Sequence, residues 1–225
     1  MLRGAVFGLV GLSGLSRSVT VLATPVAAKT RMPAGDARGR RVLLVVGDSL
    51  SAEYGLVRDT GWVKLLEQRI SQQGLGEYIV VNASISGETT SGGRTRLPEL
   101  LKTHRPAVVV LELGANDGLR GLPIDLMRAN LRAMIDASRA AGARVLMVGV
   151  RIPPNYGRDY AERFFRTFGE LARETKVAVA PFLLEGIAED LSLFQPDRIH
   201  PNEKAQARML DNVWPHLRPL LSPRK

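Results

Sequence analysis

Val42-Leu43-Leu44-Val45-Val46-Gly47-Asp48-Ser49-Leu50 decides the fold. An unbroken run of Val and Leu of this length reads as a strand buried on both faces, as in a parallel sheet. It stops abruptly at a glycine, an acid and a serine, and the polar Ser51-Ala52-Glu53-Tyr54-Gly55 follows. In open α/β sheets, chemistry collects just past the carboxyl ends of such strands. Ser49 therefore stands where a reactive side chain would be placed.

Outward from this run the chain alternates. Residues 42–47, 78–83, 107–113, 144–150 and 177–181 are strand-like, the third most strongly so. Helical spacing fills the intervals at 61–73, 97–104, 124–141 and 160–176, and again at 203–217. Gly142 is a helix stop, and the proline at 98 marks a helix start. Five strands alternating with helices imply right-handed crossovers, hence a three-layer α/β/α sandwich around a five-stranded parallel sheet. No repeat or low-complexity tract interrupts the pattern.

The chain has 225 residues, 45% of them hydrophobic and 24% charged, which suits one well-packed domain. It has no cysteine, which excludes disulfides, thiolate zinc sites and a cysteine nucleophile. The formal charge is +9, but the basic residues are dispersed and aromatics are only 5%, too few for base-stacking platforms. The reading is a generally basic surface with no nucleic-acid partner. A weak, salt-dependent contact with anionic membrane surfaces is compatible with it.

Residues 1–28 differ from the rest. Arg3 precedes an apolar, glycine-rich stretch, Arg17 divides it, and small residues end it at Val26-Ala27-Ala28. These are the parts of a secretory signal peptide. Residues 29–40 read as a linker and 41–225 as the folded domain.

Three strand ends carry unusual residues: Gly47-Asp48-Ser49-Leu50, Asn82-Ala83-Ser84-Ile85-Ser86-Gly87-Glu88, and Gly114-Ala115-Asn116-Asp117-Gly118. Asp197-Arg198-Ile199-His200-Pro201 precedes the last helix. In a parallel sheet these segments share one edge. A serine hydroxyl needs a base to become a nucleophile. Of the three histidines, His104 and His216 fall in helix-like stretches, so His200 is the candidate base. Asp197, three residues earlier, is placed to orient it. The backbone N–H groups of Ser49 and Gly87 and the side-chain amide of Asn116 are candidate oxyanion donors. Asp48 reads as a shaper of the nucleophile turn. Each block alone is also an ordinary turn. Asp48, Asp117, Asp197 and His200 match no compact metal-ligand spacing.

In this order the four blocks resemble the signature of the SGNH, or GDSL, hydrolases, over most of the chain from Val42 to Leu217. The longer strings Gly47-Asp48-Ser49-Leu50-Ser51-Ala52 and Gly114-Ala115-Asn116-Asp117-Gly118-Leu119-Arg120-Gly121 resemble the exported bacterial thioesterase I / lysophospholipase L1 / arylesterase group. The resemblance implies a flavodoxin-like fold, a periplasmic location, and hydrolysis of acyl esters and thioesters without metal or other cofactor. It also implies Ser49, Asp197 and His200 as triad and Ser49, Gly87 and Asn116 as oxyanion hole. Glu53 and Glu88 depart from residues common in that group and bear on substrate preference. Leu119, Leu122 and Pro153, in apolar loops beside the site, are candidate acyl-chain contacts. Two alternatives stay open: a carbohydrate O-acetylesterase, and a non-catalytic flavodoxin-like binding module. No obligate protein partner is expected.

Overall fold

Strand β1 (Arg41–Gly47) lies between β2 (Tyr78–Asn82) and β3 (Val108–Glu112), and β4 (Arg144–Val148) and β5 (Ala178–Ala180) extend the sheet beyond β3. All four pairings are parallel, in the order β2-β1-β3-β4-β5. This is the flavodoxin-like order, with its switch point at β1 and β3. The computed structural model describes residue 1 and residues 39–222. The expected secretory leader (Met1 apart) and residues 29–38 of the linker lie outside the described residues.

Alternate side chains of the strands enter two cores. Val42, Leu44 and Val46 join Val109, Leu111, Val145 and Met147 on one face. There they pack beneath α2 (Thr90–His104), α4 (Ile124–Ala140) and α5 (Arg158–Thr175). Leu43, Val45, Val108, Val110, Leu146 and Val148 fill the other face, beneath α1 (Trp62–Gln72) and α6 (Gln206–Leu221). A strand buried on both faces gains nothing from polar alternation, which is why β1 and β3 read as continuous apolar runs.

Two elements differ from the sequence reading. Helix α2 begins at Thr90, not at 97, so Pro98 sits inside it on an exposed side. Thr90-Ser91-Gly92-Gly93 has weak helix propensity. Tertiary and capping bonds override it: Thr89 Oγ1 accepts from Gly92 N–H, and Asp117 Oδ2 accepts from Thr90 N–H at 2.8 Å. The segment after β3, expected as a loop, forms a short helix, α3 (Ala115–Leu119). The other boundaries fall close to those expected.

Leu44, fully buried in β1, measures the tightness of this packing. Leu44→Ala should cost about 2–5 kcal/mol in urea unfolding, because the removed methyls leave a cavity between rigid layers.

Candidate active site

The crevice opens where β1 and β3 end side by side, with Gly47 opposite Glu112 in register. The β1 exit turns at once: Ser51 and Ala52 N–H donate to the Asp48 carbonyl, and Leu50 N–H donates to Asp48 Oδ1 at 3.1 Å. This turn lifts Ser49 off the sheet edge. Asp48 is itself fully buried and also accepts from Asn116 Nδ2 at 3.2 Å. It shapes the turn, and it also holds the head of α3.

His200 arrives from the far end of the chain on a tight hairpin. An antiparallel bridge joins Phe194 to Pro201, and Gln195 N–H donates to the His200 carbonyl at 2.8 Å. His200 Nε2 lies 2.9 Å from Ser49 Oγ, and Nδ1 lies 2.7 Å from Asp197 Oδ2. Asp197 Oδ1 accepts from the backbone N–H groups of Ile199 and His200 at 2.9 and 3.0 Å. Burial would push the Asp197 carboxyl up, but the His200 N–H, the His200 ring and the Ile199 N–H outweigh it, leaving the value at about 2. An ionised carboxylate can only accept, so Nδ1 carries the ring proton and Nε2 is left to accept from Ser49 Oγ–H. That is the polarity a general base needs.

Gly87 follows β2 in a left-handed conformation, φ +80°, which only a residue without Cβ adopts at no cost. Neither the Ser49 N–H nor the Gly87 N–H has a hydrogen-bond partner among the described residues. Asn116 differs from these two donors. Its Nδ2 donates to Asp48 Oδ2 and, at 3.0 Å, to the Glu88 carbonyl, so its amide is aimed by two acceptors already in place. An incoming oxyanion would share these protons.

His104 ends α2 and His216 lies within α6, so His200 alone of the three joins Ser49. Glu53 accepts from Asp59 and Gly61 N–H, ordering the loop before α1. Glu88 pairs with Arg96 of α2. Leu119 is half-buried and packed on the core, Leu122 is half-buried, and Pro153 is exposed. Neither of two surface cavities of about 250 and 360 Å³ is lined by Ser49, Gly87, Asn116 or His200. Among the described residues no cluster of three or more His, Asp or Glu side chains could hold a metal ion.

Two contributors are invisible to motif reading. The Tyr54 ring packs over the His200 imidazole with centroids 4.4 Å apart. Gln195 Nε2 donates to the carbonyls of Tyr54 and Pro201 at 2.8 and 3.2 Å, tying the histidine hairpin to the loop after Ser49. Gln195 lies 141 positions from Tyr54, and no local pattern marks such a tie.

Residues 45–208 match the GDSL-like lipase/acylhydrolase family. The chain is 51% identical over 181 residues to esterase TesA of Pseudomonas aeruginosa, covering 80% of this chain and 90% of that protein. It is 41% identical over 180 residues to thioesterase 1/protease 1/lysophospholipase L1 of Escherichia coli K12, covering 80% and 85%. Among solved structures, the psychrotrophic esterase EstA of Pseudoalteromonas superposes with a TM-score of 0.76 at 40% identity, covering 80% of this chain and 98% of that one.

Gln195→Ala removes the tie between the two loops without touching Ser49 or His200. Steady-state hydrolysis of a p-nitrophenyl ester should show kcat lowered about 10-fold, the scale expected when a reacting pair loses its alignment.

Proposed function

The chain belongs to the GDSL-like lipase/acylhydrolase family and is a serine hydrolase of ester bonds, and we propose that Ser49, His200 and Asp197 are its catalytic triad. The observation that carries this reading is the continuous hydrogen-bond line from Asp197 through His200 to Ser49, set at the switch point of the sheet.

In this reading Ser49 Oγ attacks the acyl carbonyl carbon as His200 Nε2 takes its proton. The C=O electron pair moves onto oxygen, and the N–H groups of Ser49 and Gly87 and the amide of Asn116 receive the oxyanion. Collapse breaks the bond to the leaving group, which departs as the alcohol or thiol with the proton from His200. Water, deprotonated by His200, then attacks the acyl-Ser49 ester. Its collapse returns the proton to Ser49 and frees the acid. Asp197 stays ionised throughout, holding the tautomer and offsetting the imidazolium charge.

The substrates are small acyl esters, with thioesters as a second class. This rests on likeness to relatives named as esterase, arylesterase and thioesterase/lysophospholipase. Leu119, Leu122 and Pro153 are proposed to carry the acyl chain along the open crevice. Ile85 and Ile199, about half exposed on the loops that bear Gly87 and His200, add apolar surface to its rim. The parts of a secretory signal at residues 1–28 support export, to the periplasm first and to the medium as the second choice.

Ser49→Ala should lower kcat on a p-nitrophenyl ester by at least about 10³-fold with unchanged thermal unfolding. A variant that kept its rate would remove Ser49 from the reaction. Leu122→Gln should lower the ratio of long-chain to short-chain ester hydrolysis about 10-fold, the value of one to two buried methylenes.

A further inference from the structure

Glu112 ends β3, all five residues of which are buried, and has no part in the chemistry above. Its Oε2 accepts from Ser51 Oγ at 2.7 Å and lies 3.4 Å from Asp48 N. Both donors belong to the turn that presents Ser49. A Cβ on Gly47 would lie 2.8 Å from the same oxygen, so the glycine that opens the turn makes room for this carboxyl. The contact continues outward. The Ser51 carbonyl accepts from Asn82 Nδ2 at 2.7 Å, and Asn82 Oδ1 accepts from Ser84 N–H, on the loop that carries Gly87. One acid at the end of β3 thus braces the exits of β1 and β2 together.

The charge state follows from the surroundings. The second oxygen, Oε1, is buried without a hydrogen-bond partner among the described residues. No Lys or Arg there bonds to Glu112 or Asp48. The groups facing this acid pair are Asp117 on α3 and, across the crevice, His200, which act on Asp48. Burial first, then the Asp48 charge, hold the Glu112 carboxyl well above the ordinary range, and the Ser51 hydroxyl and Asp48 N–H offset only part of this. Asp48 is likewise raised, to about 6, chiefly by burial. An uncompensated buried charge is the costly state.

We propose that Glu112 is a positioning residue: a buried acid that clamps the underside of the Gly47–Asp48 turn through Ser51 and so keeps Ser49 Oγ in line with His200. This rests on the reading of Ser49 as nucleophile. Its charge state, however, can be read without any turnover.

The test compares Glu112→Gln and Glu112→Ala with the unaltered protein, by ester hydrolysis across pH and by urea unfolding at about pH 4.5 and pH 8. Glutamine copies a neutral carboxylic acid in shape, so it should keep kcat within about 3-fold, while alanine lowers kcat about 10- to 100-fold with KM little changed. An acid raised in the folded state keeps a proton that the unfolded chain releases above about pH 4.5. Its folded form therefore loses stability as pH rises toward the raised value. Glutamine escapes that loss, so it should be the more stable protein at pH 8, with the advantage gone near pH 4.5. Alanine with unaltered kcat, or glutamine as impaired as alanine, would overturn the proposal. If the alanine variant does not fold, the glutamine pH dependence decides alone. Loss of the nucleophile reading through an active Ser49→Ala would leave the unfolding result standing, so the two failures are distinguishable.

Discussion

The hydrogen bond between Ser49 and His200 joins positions 151 residues apart, and the architecture serves to bring its two ends together. One end is fixed by sheet order. Because the chain after β1 leads to α1 on one face of the sheet and the chain after β3 leads to α4 on the other, the two part and leave a crevice above β1. Ser49, Gly87 and Asn116 come from the three strands that border this crevice. The other end is fixed by a hairpin outside the sheet, closed by the Phe194–Pro201 bridge and tied by Gln195 to Tyr54. A bond of 2.9 Å survives only if both supports are rigid.

Rigidity comes from polar groups placed under the site as much as from the apolar layers. Asp48 and Glu112 lie beneath the turn that carries Ser49, and Asp117 accepts from Thr90 N–H and Thr90 Oγ1. Each of these buried acids accepts from groups that belong to another strand end or helix start, and each such bond fixes one loop against the next. Removing a single partner in such a network leaves a buried polar group unpaired, which costs more than the bond itself contributes.

The layers and the four site blocks were legible in the sequence for definite reasons. Strands buried on both faces leave long Val and Leu runs, and a parallel sheet puts every strand exit on one edge. Ser49, His200 and Asp197 could be brought together because only one histidine falls outside the helices. Helix α2 was misread at its start because capping by Thr89 and the bond from Thr90 to Asp117 outweigh four residues of weak propensity. Tyr54, Gln195 and Glu112 act through contacts spanning 61 to 146 positions, for which no spacing rule exists. Glu112 did carry one signal, an acid closing the apolar run Val108-Val109-Val110-Leu111.

The central claim is that Ser49 Oγ is the atom that becomes covalently bonded to the acyl group. Treating the protein with an organophosphonate ester, digesting it and mapping the adduct by mass spectrometry tests this directly. The account predicts one adduct per chain, on Ser49, formed in step with loss of activity. An adduct on Ser51, Ser84 or Ser86, or full inactivation with Ser49 unmodified, would contradict it.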